Sequence, residues 1–206
     1  MKKNDLMTNQ MRGADTRKSI IEVSLGLFSK NGYDATSVAE ICQQAQVSKG
    51  AFYHHFASKQ DLFLALMEMW LETVDGFFQL AGQSAETVPE VLENMAAFSG
   101  GLFDALEGGF PILLEFWTQA SRHPTVWERA VAPYKRYLDL FSTMFQSGVE
   151  EGSFSHEINP EHAARILTSM VMGLLLQATF DPHGANWQDV TRFGLKIMIN
   201  GLESKE

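Results

Sequence analysis

The stretch that decides the fold is VSKGAFYHHFASKQDLF, residues 47–63. Ser48 and Ser58 each stand where a hydroxyl can accept the backbone N–H groups that the first turn of a helix leaves unpaired, so each serine predicts the start of a helix. Because the two serines are close together, the first of these helices must be short. Phe52 and Phe56 are four residues apart and therefore share one face of it, which predicts that both rings lie in a core.

A second short helix is predicted just upstream, over residues 36–45. Ser37 and Glu40 are three residues apart and can form a capping box, in which each side chain accepts a backbone N–H group of the other residue. Only residues 45–47 are then left for a tight turn. Two short helices joined in this way form a helix-turn-helix, whose second helix enters the major groove of DNA by its N-terminal end.

Residues at fixed spacings extend this pattern on both sides. They are Leu27-Phe28, Gly32-Tyr33, Thr36-Ser37-Val38, Ile41, Ser48-Lys49-Gly50, Phe52-Tyr53, His55-Phe56, Ser58-Lys59 and Leu62. At these positions the chain resembles the TetR family of bacterial transcriptional regulators, over about 45 to 50 residues. The turn of that family usually carries Gly where this chain has Gln46. Since a non-glycine residue with positive φ costs of order 1 kcal/mol, we expect a slightly strained turn.

The chemistry of the side chains and the resemblance together predict the residues that contact DNA. Lysines can neutralise phosphates, and tyrosine and histidine rings can donate to phosphate oxygens. Lys49 and Ala51 are candidates for reading base edges, and both are equally suited to positioning the helix on the backbone. The predicted set is Thr36, Ser37, Ser48, Lys49, Gly50, Ala51, Tyr53, His54, His55 and Lys59.

The two adjacent histidines of this stretch, His54 and His55, do not predict a metal site. Neighbouring residues of a helix point about 100° apart. No thiolate or carboxylate completes a ligand set at a usable spacing.

The charge of the chain is unevenly distributed. The whole chain carries −9, but residues 1–60 hold eight Lys and Arg against five Asp and Glu, whereas residues 61–206 hold eight against twenty. A basic DNA-binding part, followed by an acidic body of residues 61–206, produces this asymmetry.

The single cysteine, Cys42, excludes an intramolecular disulfide and fits a reducing cytoplasm. Its place in the first helix of the helix-turn-helix predicts a small core residue rather than a redox switch. We find neither a signal peptide nor an apolar run of the roughly 18 residues that a membrane span requires. The sequence therefore predicts a cytoplasmic protein that binds neither a membrane nor a cofactor.

The pattern predicts an all-α protein of about nine helices in three regions. Residues 1–14 are predicted to be a disordered arm, either a loose basic segment or one without a role. Residues 15–60 form a three-helix DNA-binding domain, and residues 61–206 form a helical bundle for ligand binding and dimerisation. From Ser58 onward, helices are predicted to begin near Ser58, Thr87, Pro111, Pro124, Asn159-Pro160 and Asn186.

Residues 163–180 are apolar nearly all round, so a helix there must be buried on more than one side. Another copy of the chain can supply one side, and in the family that the chain resembles the last two helices pair with their symmetry mates. A helix buried within a monomer is the alternative. A two-fold dimer places its recognition helices about 34–36 Å apart, which matches a palindromic site on double-stranded DNA. The predicted interface residues are Ala164, Thr168, Val171, Gly173, Leu175, Trp187 and Phe193.

The middle of the body is rich in aromatic and other large side chains, which can line a cavity for an apolar or aromatic small molecule. A filled core is the alternative, and the resemblance favours the cavity. Glu115 could pair with a cationic ligand, but its spacing from Thr118, Gln119 and Arg122 predicts a solvated helix face instead. The predicted ligand-binding residues are Phe77, Phe98, Phe103, Phe110, Leu114, Trp117, Trp127, Tyr134, Tyr137, Met170 and Gln177.

Three functions can be weighed against these features. The first is a homodimeric repressor that a small effector releases from its operator. The second is a dimeric DNA-binding regulator without a small-molecule ligand. The third is an enzyme, which the sequence disfavours because it shows no nucleophile with a partnering base, no phosphate-binding glycine loop and no spaced metal ligands.

Overall fold

Helices are the main secondary structure of the part of the chain that the structure, a computed structural model, describes, and an isolated β-bridge joins Phe154 and Glu203. That part is residues 2–105 and 109–203, with the side chains of residues 13–104 and 109–203. The predicted all-α class and helix count are confirmed. The helices of the described residues are α1 (Lys2–Asn31), α2 (Val38–Gln44), α3 (Lys49–His55), α4 (Lys59–Gly82), α5 (Val88–Ala105), α6 (Gly109–Ala120), α7 (Pro124–Glu150), α8 (Pro160–Phe180) and α9 (Trp187–Leu202).

The predicted caps lie at the starts of these helices. Ser37 and Glu40 form both bonds of the capping box of α2. The Ser48 hydroxyl accepts the N–H of Ala51 at the start of α3. Before α4, the Ser58 hydroxyl accepts the N–H of Asp61 at 3.0 Å. These predictions succeed because a cap depends only on residues within one turn of each other.

The first helix, α1, has 30 residues. α1 begins at Lys2, within the stretch predicted to be disordered. Residues 2–14 contain no proline, and Gly13 is the residue of this stretch with the lowest helix propensity, so no residue there excludes a helix.

The chain forms two compact units. Unit 1 consists of Met1–Met69 and Pro111–Trp127, and unit 2 consists of Trp70–Phe110 and Glu128–Glu206. This division differs from the predicted boundary after residue 60. The difference arises because the first turns of α4 and most of α6 contribute large buried side chains to the core of unit 1.

An aromatic cluster forms the centre of that core. The Tyr33 ring lies 5.3 Å from Phe28, 5.3 Å from Phe63 and 5.4 Å from Phe116 between ring centroids. The rings of Phe63 and Phe116 are stacked at 4.1 Å. The cluster therefore joins α1, α4 and α6. In the helix-turn-helix, Phe52 of α3 is also fully buried.

The core of unit 2 is formed where α5 packs along α9, with side chains from α7 and α8. Leu92, Phe145 and Leu167 are fully buried there. Gly148 of α7 lies directly against the Phe154 ring, and a β-carbon at residue 148 would overlap that ring. The close approach of α7 to the following loop therefore requires glycine at this position.

One helix contradicts an expectation about membranes. By length and composition alone, α8 is apolar enough to cross a membrane, so the prediction that no such run exists is wrong. One face of α8, with Ala163, Ala164 and Leu167, is part of the core of unit 2. The apolar composition of α8 therefore serves, at least on that face, a protein interior.

The turn between α2 and α3 has the strain that the sequence predicted. Gln46 has φ +56°, the only positive φ of a non-glycine residue in the described part of the chain. Its N–H donates to the Gln43 carbonyl, and the N–H of Val47 donates to the Cys42 carbonyl at 2.9 Å. These two bonds form a Schellman motif, whose left-handed position usually carries glycine.

Replacement of Gln46 by glycine is expected to stabilise the protein. The left-handed conformation costs a side chain about 1–2 kcal/mol, and glycine loses about 0.5–1 kcal/mol of that gain through its greater freedom in the unfolded chain. We expect Gln46→Gly to raise the free energy of unfolding by up to about 1 kcal/mol in urea denaturation. Gln43→Gly, on an exposed helical position, is the matched control and should lower that free energy by a similar amount. Equal destabilisation by both changes would contradict the argument.

Candidate nucleic-acid interface

The surface of α3 is divided into a buried and an exposed side. Phe52 and Phe56 are 0% and 3% exposed, whereas Tyr53 is 54% exposed. Ser48, Lys49 and Gly50, at the N-terminal end of the helix, are also exposed. The helix is therefore fixed to the rest of unit 1 by Phe52 and by Phe56, the residue that follows it, and presents its first turn and Tyr53 to solvent.

No described residue covers the exposed end of α3. A β-carbon at Gly50 would meet only the Ser48 hydroxyl, at an ordinary contact distance of 3.7 Å. Packing within the protein therefore does not require glycine at residue 50. A bare backbone at this point instead suits close approach by another molecule, such as the wall of a DNA groove.

The two histidines at the end of α3 differ in their surroundings. His54 is exposed, whereas His55 is partly covered. Burial lowers the pKa of His55, and the neighbouring His54 and Arg17 lower it further. The charged form of His55 is therefore disfavoured in the free chain, and a ring N–H of His55 can still donate to a phosphate oxygen. In the described side chains, no group of three His, Cys, Asp or Glu residues is placed to hold a metal ion.

The two predicted contacts that precede α2 have different roles. Ser37 is exposed and its oxygen accepts the Glu40 N–H, so its hydroxyl hydrogen is still able to donate. Thr36 is 0% exposed, and its hydroxyl donates to the Gly32 carbonyl at 2.8 Å. Thr36 therefore has no surface to offer to DNA, and its prediction as a contact residue is corrected.

The prediction that Lys59 contacts DNA is also corrected, because its ammonium group is already bound within unit 1. Its Nζ donates to the carbonyl oxygens of Tyr33 at 2.9 Å, Thr36 at 3.0 Å and Asp34 at 3.4 Å. It also lies 4.3 Å from the centre of the Tyr33 ring. An ammonium group has three N–H donors, and these contacts use all of them. Lys59 is therefore a structural residue of the loop before α2.

Two residues that the sequence did not assign to this region contact the same loop. The Glu115 carboxylate accepts the backbone N–H groups of Tyr33 and Asp34. Gln119 donates to the Asp34 carboxylate. Of the predicted solvated face, Thr118 and Arg122 are exposed, whereas Glu115 and Gln119 are partly covered and bind this loop. About eighty residues separate these partners along the chain, and no local pattern indicates such a contact.

The predicted ligand-binding residues do not belong to one unit. Leu114, Trp117 and Trp127 belong to unit 1, and the other eight belong to unit 2. Within unit 2, Tyr137 lies against Phe78 at 5.4 Å, and its hydroxyl donates to the Asp75 carboxylate at 2.8 Å. Unit 1 has an open cleft of about 140 Å³ that contains none of the predicted ligand-binding residues. Its lining is Tyr33, Asp34, Lys59, Gln60, Phe116, Gln119, Ala120 and His123.

The remaining predicted ligand residues of unit 2 are in varied environments. Phe110 is buried, Phe98 is 39% exposed and Tyr134 is 36% exposed. Phe77 contacts Gly101 of α5. Phe103, Met170 and Gln177 complete the set, and Gln177 donates to the Gly173 carbonyl on its own helix.

The predicted dimer residues divide by exposure. Ala164 and Thr168 are 1% and 9% exposed within the single chain, so they have almost no surface left for a partner. Phe193 is 67% exposed. Gly173 has no atom within 4 Å of the position where a β-carbon would lie. Val171, Leu175 and Trp187 are partly covered.

The comparisons with known proteins agree with this geometry. The family model of bacterial regulatory proteins of the tetR family matches residues 20–66, and the model of the C-terminal part of BetI-type transcriptional repressors matches residues 111–193. The chain belongs to the TetR family. It is a DNA-binding transcriptional regulator rather than an enzyme, and the matched N-terminal segment includes all of α2 and α3.

Individual relatives of this TetR-family chain are distant. The A-factor receptor protein of Streptomyces griseus is 26% identical over 175 residues, which are 85% of this chain and 59% of that protein. The transcriptional regulator UidR of Escherichia coli K12 is 23% identical over 193 residues, 94% of this chain and 95% of that one. The structure of the ketosteroid transcriptional regulator KstR2 of Mycobacterium tuberculosis has a TM-score of 0.67 at 22% identity, and covers 92% of this chain and 95% of that one.

Two lysines of the DNA-binding domain of this TetR-family chain are expected to differ in their effects on DNA binding. Lys49→Ala should reduce the dependence of log affinity on log salt by about one unit if Lys49 neutralises a phosphate. Lys59→Ala should leave that dependence unchanged and instead lower the free energy of unfolding by about 1–3 kcal/mol, because it removes charged hydrogen bonds. Titrations at several salt concentrations, together with urea unfolding, measure both effects. A reduced salt dependence for Lys59→Ala would return that residue to the DNA contacts.

Proposed function

We propose that this chain is a repressor that binds a palindromic double-stranded DNA operator as a homodimer and is released by a small apolar or aromatic effector. The observation that supports the proposal is the exposed N-terminal end of α3. The helix is held in place by Phe52 and Phe56, which are buried in the core of unit 1. The match of the C-terminal half to a model of transcriptional repressors supports the sign of the regulation. Such a protein acts in the cytoplasm, where the operator lies.

The DNA-binding part of the proposal rests on the side chains that remain exposed on α3. Lys49 can neutralise a phosphate or reach a guanine edge, and Tyr53 can donate to a phosphate oxygen. Ala51 can touch a thymine methyl group at the start of the helix. The major groove is about 12 Å wide and admits a helix of this kind. Ser37, Ser48, Gly50 and His54 are the exposed neighbours that complete the proposed contact surface.

The dimer part rests on a second apolar face of α9. Leu195 and Ile199 are buried within the protomer, whereas Phe193 and Ile197 are 67% and 57% exposed. Phe193 and Ile197 are four residues apart and therefore share one outer face of the helix. Large apolar groups concentrated on one face indicate a contact with another protein surface.

The neighbouring helix α8 contributes to the same proposal. Ile166 and Phe180 of α8 are 61% and 76% exposed. Gly194 of α9 lies against the Met170 sulfur of α8, so the two helices approach closely and can present one combined surface. A second copy of the chain, related by two-fold symmetry, is a self-complementary occupant for such a surface. We therefore propose an interface centred on Ile166, Phe180, Phe193 and Ile197, with Gly173 as a point of close approach.

The effector part rests on the polar and aromatic groups of unit 2 around Tyr137. Burial raises the pKa of the Tyr137 phenol, and its hydrogen bond to Asp75 raises it further, so the phenol stays protonated and donates. Arg136 donates to both oxygens of the Asp75 carboxylate, at 2.9 and 3.0 Å. Aromatic surface beside a few fixed polar groups is the usual lining of a small-molecule site. The related A-factor receptor protein is, by its name, a receptor.

A specific observation also supports the second candidate, a dimeric regulator without a ligand. The Tyr137 hydroxyl and the Asp75 and Arg136 side chains already bind one another. Polar groups that are satisfied within the protein have less to gain from a ligand. The two candidates therefore differ in whether any small molecule stabilises the protein.

Selection of an operator tests the shared part of both candidates. Repeated binding of the full chain to random duplexes should enrich a palindrome whose half-sites are about one helical turn apart, because two-fold symmetry fixes the spacing of the recognition helices. Recovery of no enriched sequence would contradict the proposed DNA binding. Enrichment of a single unrepeated half-site would retain DNA binding and contradict the dimer.

A charge on the outer face of α9 is expected to separate the dimer. Phe193→Glu places a carboxylate in the proposed interface, where an unpaired buried charge costs several kcal/mol, so dimerisation should weaken by at least about a hundredfold. Because Phe193 is exposed in the protomer, the variant should keep its helical circular dichroism. Sedimentation and operator titration measure the loss of dimer and of tight binding together. Leu140→Glu, at a 46% exposed apolar residue of α7, is the matched control.

The proposed dimer predicts different oligomeric states for these two variants. Phe193→Glu should be a folded monomer, and Leu140→Glu should remain a dimer with the affinity of the parent chain. A soluble Phe193→Glu dimer with normal operator affinity would place the interface elsewhere.

An effector is expected to stabilise the protein and release DNA at the same concentrations. A ligand present at a hundredfold excess over its Kd adds about 2.7 kcal/mol to the free energy of unfolding. In a thermal screen of apolar, aromatic and cationic compounds, we expect at least one to raise Tm and to release the operator. Tyr137→Phe and Tyr137→Ala should weaken that response increasingly while operator affinity stays near normal. Thr143→Ala, on an exposed position of α7, is the control, and a screen without any stabilising compound would favour the regulator without a ligand.

A further inference from the structure

The loop that joins α1 to α2, residues 32–36, is held by side chains from two other helices of unit 1. This loop ends beside Ser37, the N-cap of α2. In a helix-turn-helix, the first helix lies across the DNA backbone and fixes the position of the second. The placement of the loop therefore determines where the helix-turn-helix begins.

Glu115 of α6 makes the most specific of these contacts. Its Oε2 accepts the backbone N–H of Tyr33 at 2.9 Å, and its Oε1 accepts the backbone N–H of Asp34 at 2.7 Å. A carboxylate that accepts two consecutive backbone N–H groups forms charge-assisted bonds of fixed direction. The position of the loop is thereby tied to one side chain of α6.

The backbone of Gly32 makes room for this carboxylate. Gly32 has φ +84°, and a β-carbon there would lie 3.1 Å from the Glu115 Oε2 atom. Both the conformation and the space therefore favour glycine at residue 32. The sequence pattern Gly32-Tyr33 is thus explained by a contact with α6 rather than by the loop alone.

Further contacts hold the same loop. Gln119 lies one turn after Glu115 on α6, and its Nε2 donates to the Asp34 carboxylate at 2.5 Å. Lys59, at the start of α4, donates to three carbonyl groups of the loop. The Glu115 side chain thus binds the N–H groups of the loop, and Lys59 binds its C=O groups.

We propose that Glu115, assisted by Gln119, is a positioning residue for operator binding: it fixes loop 32–36, and through it the start of α2, from α6. The proposal rests on the proposed DNA-binding function. None of the exposed α3 residues is altered by a change at Glu115, so the predicted effect is on the placement of the helix-turn-helix and not on its contacts. Operator affinity then depends on α6, whose residues 111–120 belong to the same compact unit as the loop.

Graded substitutions of Glu115 test this role. Glu115→Gln keeps the shape of the side chain but can accept only one of the two N–H groups, because its amide nitrogen is a donor. Glu115→Leu accepts neither. Operator affinity, measured by fluorescence anisotropy on the selected operator, should fall about tenfold for Glu115→Gln and further for Glu115→Leu. Gln119→Ala should have a smaller effect.

The salt dependence of binding separates positioning from phosphate contact. The slope of log affinity against log salt should be the same for Glu115→Gln and the parent chain, since no phosphate contact is lost. Glu128→Gln, on an exposed position of α7, removes the same charge elsewhere and should leave operator affinity unchanged. A loss of affinity in Glu128→Gln equal to that in Glu115→Gln would show that net charge alone is responsible, and would overturn the proposal.

A stability-matched variant separates positioning from general stabilisation. Ile20→Val removes one methyl group from a fully buried residue of α1 without touching the loop. At a temperature where every variant is fully folded, Ile20→Val should bind the operator like the parent chain, and the Glu115 variants should not. Equal affinity of Glu115→Leu and the parent chain would overturn the proposal.

Amide hydrogen exchange provides a readout that does not depend on DNA. The amide hydrogens of Tyr33 and Asp34 should exchange faster in Glu115→Gln and Glu115→Leu than in the parent chain, while that of Phe52 in α3 stays protected. Unchanged exchange at Tyr33 and Asp34 would overturn the contact itself. Failure of the parent chain to bind any duplex would overturn the proposed function and the positioning role with it, while leaving the exchange result to report on the loop.

Discussion

The packing of the Tyr33 ring among Phe28, Phe63 and Phe116 is the interaction on which the DNA-binding unit depends. It brings α1, α4 and α6 to one point. Only with these helices in place can Glu115 and Lys59 reach the loop that leads into α2. The hydrophobic effect gathers the helices without direction, and the charged hydrogen bonds then fix the orientation of the backbone. Burial in this cluster raises the pKa of the Tyr33 phenol, and the nearby Asp34 and Glu115 carboxylates raise it further.

Local features of this protein could be predicted from the sequence, whereas contacts between distant residues could not. The caps at Ser37, Ser48 and Ser58 depend on neighbours within one turn, and the strained turn at Gln46 depends on a single residue. The roles of Lys59 and Glu115 depend on which helices meet in space. A lysine beside a helix-turn-helix has the same appearance in sequence whether it binds phosphate or the carbonyl groups of its own chain.

The same limit explains the corrections in the C-terminal half. The apolar composition of α8 indicated burial on more than one side, but composition does not say which residues face inward. The structure places Ala164 and Thr168 in the core of the protomer and leaves Ile166 and Phe180 exposed. Small residues were expected at a contact between copies, but Ala164 and Thr168 of α8 instead lie in the core of a single chain, whereas Gly173 has open space beside it. Helical periodicity alone could not decide between the two faces, because both are apolar.

The contact between Glu115 and loop 32–36 has a consequence for the exchange of parts between regulators. Its acceptor is a side chain, but its donors are backbone N–H groups, which every residue except proline supplies. A DNA-binding domain from another regulator, with glycine at the position of Gly32 and no proline at the next two positions, would offer the same two donors to Glu115. For this one contact, chimaeric regulators that combine a new operator specificity with the rest of this chain need to preserve the shape of a loop, in addition to the aromatic side chains that pack against Phe116.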